Sequence, residues 1–158
     1  MNPTTETTAV RVSVDVAAPP ERAFEVFTAG MNGWWDPSHH VLTGTLKAVG
    51  VEPRVGGRLW EENQDGDTCT WGRVLAWDPP RTFAFARLLG MDWAVPAEDA
   101  PASRVTVTFT PTADGTRVDL VHDELDRHGP GWEAMRAAVE SDGGWPAGLR
   151  AFAAAAGA

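Results

Sequence analysis

His122 stands in strand phase with Val118 and Leu120, so its imidazole points to the same side as two apolar side chains. A histidine so placed can hydrogen-bond within a core, touch a bound ligand or move a proton. Proton transfer needs a partner within hydrogen-bond reach, for which Glu62 and Arg87 are the candidates. His39 and His40 are adjacent and point opposite ways on an extended segment. With a single cysteine and no His-x-x-x-His spacing, no metal site is expected. Cys69 lies between two threonines with no basic neighbour to lower its thiol pKa, which suits a small filler. Glu61, Glu62, Asp65 and Asp67 cluster around a hairpin and read as a solvated tip. Gly56-Gly57 has neither the lysine nor the following helix of a phosphate loop, and no nucleophile-elbow, kinase or dinucleotide fingerprint occurs. No residue is therefore assigned a catalytic role, and no cofactor is expected.

Eight tryptophans without a tyrosine supply large apolar area with one donor each, which fits a core or the wall of an apolar pocket. Alternation from Thr68 to Trp77 puts Trp71, Arg73, Leu75 and Trp77 on one strand face and Gly72, Val74 and Ala76 on the other. In Arg81 to Leu89, Phe83, Phe85 and Arg87 share a face opposite Thr82, Ala84 and Ala86, and the small residues leave room for a ligand. A net charge of -9 argues against nucleic acid and anionic membranes, since both need clustered Lys and Arg. The polar stretch Met1 to Ala9 reads as a tail without signal peptide, and a cytoplasmic location is expected.

At 158 residues, one domain over residues 10–156 is expected. Val10 to Val16 alternates as a strand. Pro19-Pro20 ends it, and Pro20 opens a helix of about ten residues with Ala23, Phe24, Val26 and Phe27 as its stripe. Met31 to His40 has room for one helical turn. Further strands are read at Thr43 to Val51, after Gly56-Gly57, from Thr68 to Trp77, and from Arg81 to Leu89. Val105 to Thr110 and Val118 to His122 form a second hairpin, and Asp65-Gly66 suits two positive-φ positions in the first. Gly90 to Ser103 reads as a long loop. A helical pattern then carries Trp132, Met135 and Val139, breaks at Gly143-Gly144, and restarts at Pro146 with Trp145, Leu149 and Phe152. This is an α+β pattern built on an antiparallel sheet.

EPRVGG, then DG, WGRV and a proline turn, all between Val51 and Pro80, resemble the START-like SRPBCC superfamily in its branch related to the activator of heat-shock-protein-90 ATPase. The resemblance runs from about Val10 to the last helix. It implies a helix-grip (START/Bet v-like) fold, a curved antiparallel sheet wrapped around a long C-terminal helix, with a ligand cavity between the two. It also implies that Trp34, Trp35 and His39 line or gate the pocket mouth. Together with the aromatic and inward residues, the expected ligand-binding set is Trp34, Trp35, His39, Trp60, Trp71, Trp77, Phe83, Phe85, His122 and Trp145. Three functions follow from the resemblance: a binding protein for a small hydrophobic or aromatic molecule, an enzyme of the cyclase, aromatase or hydrolase kind using the same pocket, and a co-chaperone. Binding without catalysis is the first expectation. The eukaryotic activator carries an additional N-terminal domain, and nothing before Val10 has that size. A homodimer is compatible with the chain, although no heptad or exposed-strand pattern demands one.

Overall fold

The computed structural model describes residues 9–35, 45–87, 103–125, 131–142 and 144–157. Seven strands form one antiparallel sheet: β1 (Val10–Val16), β2 (Leu46–Val51), β3 (Arg58–Asn63), β4 (Thr68–Asp78), β5 (Thr82–Arg87), β6 (Ser103–Pro111) and β7 (Thr116–Asp123). Their spatial order is β1-β7-β6-β5-β4-β3-β2, so the first strand closes against the last and the others follow as hairpin neighbours. Helix α1 (Pro20–Phe27) and a 3₁₀ turn (Met31–Gly33) separate β1 from β2, while α2 (Trp132–Glu140) and α3 (Trp145–Ala156) follow β7. This is the helix-grip arrangement. The C-terminal helical region is split between Glu140 and Trp145, and the chain there passes so close to the carbonyl of Val139 that only glycine fits at position 144.

The helices all cover one face of the sheet, here called the inner face. Phe24 and Phe27 of α1 and Leu149, Phe152 and Ala156 of α3 are buried against it, in one continuous core. Phe27 sits at its centre, with ring centroids 5.0 Å from Trp34, 6.1 Å from Phe83, 5.9 Å from Phe109 and 5.0 Å from Phe152.

Two expectations about strand phase and one about a turn are corrected. In β4, irregularities opposite Leu59/Trp60 and at Val74/Ala76 interrupt the period of two. A bulge turns consecutive residues to the same side. Trp71, Gly72 and Val74 are therefore buried together, whereas Arg73 and Leu75 are exposed. In β5 the aromatics and not the alanines face the helices, so Ala84 and Ala86 open no room in the core, and Ala84 is itself fully buried on the opposite face. The first hairpin is closed by a three-residue loop: Gly66 alone has positive φ (87°), and Asn63 Oδ1 accepts the backbone N–H groups of Asp65 (3.0 Å) and Asp67 (2.9 Å).

The EPRVGG segment is a stitched loop. The Glu52 carboxylate accepts the Arg58 backbone N–H at 2.8 Å and the Arg58 guanidinium at 3.1 and 3.2 Å, and the Arg58 hydrogen bonds hold its pKa below the usual carboxylate value. Gly56 N–H donates to Val74 O (2.8 Å), and Gly57 O accepts Val74 N–H (2.9 Å), tying the loop to β4. At Gly57 a Cβ would lie 2.6 Å from Glu52 O and 2.8 Å from Glu52 Cβ. Gly57→Ala is expected to cost about 2 kcal/mol, read as a lower urea midpoint at unchanged slope. A variant as stable as the parent would show that the loop yields freely.

Candidate functional site

Cross-strand pairing sorts the inner face into rows. Val74, Phe85, Val105 and His122 lie side by side in one, and Leu59, Gly72, Arg87 and Ser103 in the next. Beyond these, Glu61 pairs with Cys69 on the same face as Leu59. The end of the inner face away from α1 is thus a polar band. Glu61, Ser103 and His122 are all buried there, while most other buried residues are apolar.

His122 is fully buried and its hydrogen bonds define its proton. Trp145 Nε1–H donates to Nδ1 at 3.0 Å, and an indole has no acceptor to offer. Nδ1 is therefore the bare nitrogen of a neutral imidazole, and Nε2–H donates to Ser103 Oγ at 2.7 Å. Protonating Nδ1 would set two donors against each other. The chain Trp145, His122, Ser103 runs from helix to sheet.

Arg87 faces inward and pairs across the strands with Gly72, where an added Cβ would lie 3.0 Å from the Ala86 carbonyl and 3.2 Å from Leu59. Burial brings its guanidinium pKa down to about 10, so it is charged at neutral pH. Glu61 was expected in a solvated acidic tip and is instead buried, because Leu59, Glu61 and Asn63 alternate inward. The proposed partner Glu62 takes the outer side, 3.8 Å from Lys47. The clue for Glu61 was present in the phase of Leu59, which the hairpin reading overrode.

Cys69 lies next to Glu61, and burial first, then the carboxylate, pushes its thiol pKa from 9.0 up to about 11. Folded protein holds this proton more tightly than unfolded protein. Stability is therefore expected to fall as pH rises from about 9 towards 11. At pH 8 alkylation should run ~100-fold slower than for a thiol of ordinary pKa, judged by mass spectrometry under native conditions. Rapid labelling at pH 8 would contradict the assigned environment.

Of the expected ligand-binding residues, the structure brings six into one aromatic chain. Trp34 meets Trp35 at 5.8 Å, Trp35 meets Trp71 at 5.2 Å, Trp71 meets Phe85 at 5.8 Å, and Phe85 meets Phe83 at 5.5 Å. Trp34 is buried and donates its indole N–H to Val26 O at 2.9 Å. His122 adjoins this chain across Val105, and Trp145 covers it from α3. Trp77 ends the chain on the α1 side, 5.8 Å from Phe83 and edge-on to Phe24 at 5.0 Å. Trp60 points to the other face, over Gly50, where a Cβ would run into its ring. His39 lies outside the described residues.

Among the described residues no cluster of His, Cys, Asp and Glu is placed to hold a metal, and no helix is long and apolar enough to cross a membrane. A family model described as activator of Hsp90 ATPase homolog 1-like protein matches residues 17–157. The chain belongs to this family. No curated protein matches it. Among solved structures, an anthrahydroquino-γ-pyrone synthase, Txn09, is similar at 41% identity, covering 92% of this chain and 94% of that one with a TM-score of 0.64. CalC of Micromonospora echinospora, a self-sacrificing resistance protein, is similar at 30% identity over 95% and 94% of the two chains with a TM-score of 0.64. NE0264 of Nitrosomonas europaea shares the fold at 16% identity, 93% and 92% coverage and a TM-score of 0.66. For this member of the Hsp90-activator-like family, fold and relatives support a ligand-binding or polyketide cyclase-like protein.

Proposed function

We propose that this protein is a cyclase-like enzyme that takes a polycyclic aromatic ketone between α3 and the sheet and closes an oxygen-containing ring on it. The observation that carries the reading is the polar band set against the aromatic chain, in a fold 41% identical in sequence to a γ-pyrone synthase. Flat aromatic walls suit a fused-ring substrate. The charged and hydrogen-bonding groups are gathered where only one edge of such a substrate would meet them.

Closing a γ-pyrone on a phenol joins the phenolic oxygen to a carbon activated by a ketone. The oxygen–carbon bond forms, the phenolic proton leaves, and an electron pair moves onto the ketone oxygen. Protonation at carbon, or loss of water from a diketone, completes a reaction that has no net oxidation. In this reading the Arg87 guanidinium and the Ser103 hydroxyl, fixed by His122, donate to the developing oxyanion, and the Glu61 carboxylate receives the phenolic proton.

The test is incubation of the full chain with anthraquinones and anthrahydroquinones bearing a 1,3-diketone side chain beside a phenol, followed by mass spectrometry and tryptophan quenching. Ring closure at least about 100-fold faster than in buffer supports the enzyme. Saturable binding without conversion would replace it with a sequestering protein, a reading favoured by the resemblance to a resistance protein. If neither occurred, the interior would be a filled core and the proposal would fail.

A further inference from the structure

At the opposite end of the inner face, α1 overhangs a groove of about 440 Å³, within the range of small-molecule sites of roughly 300–1,000 Å³. Its aromatic surface comes from Phe24 and the half-buried Trp77, and Pro53, Pro79 and Pro80 line it as well. Glu21 and Glu25, one turn apart on α1, also line it, and both are exposed. Among the described residues neither glutamate makes an ion pair. The nearby cations are already engaged: Arg54 and Arg58 with Glu52, Arg81 with Asp78, and Arg22 with the carbonyl of Ala156. Among the described residues, no basic side chain lines the groove.

We infer that this groove is a second ligand site, for an organic ammonium ion carrying an apolar body. The charge is decided by the two carboxylates and by a chain of net charge -9. The body is decided by the prolines and rings. Tryptophan is the strongest cation–π partner among side chains, so Trp77 is suited to receive the cation while the glutamates neutralise it. A neutral aromatic would leave both carboxylates uncompensated, and an anion would be repelled. The site shares no residue with the polar band of the proposed ring closure, and it meets the aromatic chain at Trp77 and Phe24, whose rings lie 5.8 and 6.4 Å from Phe83.

The full chain, labelled at its indole nitrogens, is titrated with 2-phenylethylammonium and in parallel with neutral 2-phenylethanol, with the Trp77 resonance identified by its loss in Trp77→Phe. Saturable movement of that resonance is expected with the ammonium, with the alcohol at least about five-fold weaker. Glu21→Gln with Glu25→Gln should weaken the ammonium about ten-fold and leave the alcohol unchanged, and added salt should act in the same direction. Both glutamates are exposed, so this variant keeps the test valid even where Trp77→Phe folds poorly. Equal binding of the two probes, ammonium binding that survives the double substitution, or no movement of the Trp77 signal would each overturn the inference.

Discussion

Phe27→Ala is expected to lose about 3–5 kcal/mol of stability, the largest effect of any single truncation in this core. Phe27 is 1% exposed and meets four rings drawn from three different sources: the segment after α1, the sheet and α3. Truncation removes the ring's transfer free energy and leaves a void that these parts close only by moving towards one another. The sheet is rigid and Phe152 is held by its helix, so little of the void collapses. At roughly 2–4 °C per kcal/mol for a chain of this size, the melting temperature should drop by about 10 °C or more. Urea denaturation followed by tryptophan fluorescence checks it, and a loss below about 1 kcal/mol would show that the core repacks.

Arg87→Met is expected to slow ring closure about 10²–10³-fold, because it removes the charged donor from the place where the oxyanion develops. The loss should fall on kcat more than on KM, since a donor aimed at developing charge acts mainly in the transition state. Unfolding would not mimic this result. The folded pKa of Arg87, brought down to about 10 by burial, lies below that of the unfolded chain, so keeping it charged costs stability at every pH below about 10. That cost is relieved only as pH rises above about 10. Methionine carries no such cost, and circular dichroism should show a folded variant. An Arg87→Met protein with parental kcat would remove Arg87 from the mechanism.

The secondary structure was largely legible in the chain. Alternating valines announced β1, Pro19-Pro20 marked the entry to α1, and the Val105 and Val118 patterns gave the second hairpin, each in keeping with the observed elements. These signals are local: a strand with one buried side must alternate, and proline ends a ladder because it has no N–H. The break at Gly143-Gly144 was equally visible, although the close approach to the carbonyl of Val139 that demands glycine at position 144 was not.

The site was legible only in part. Period-two counting placed His122 inward, and the structure agrees; it failed in β4, where two irregularities reset the phase and carried Trp71 and Val74 to the same side. Glu61 was mistaken for a surface charge, because a carboxylate beside a turn looks solvated until its neighbours across the sheet are known. The tautomer of His122 depends on Trp145, 23 residues away, and on Ser103, 19 residues away. Nothing in the spacing of those three announces that they meet. Alternation and proline punctuation act over a few residues and can be read along the chain, whereas burial, hydrogen-bond direction and pKa depend on which distant side chains share a volume, and only the folded packing decides that.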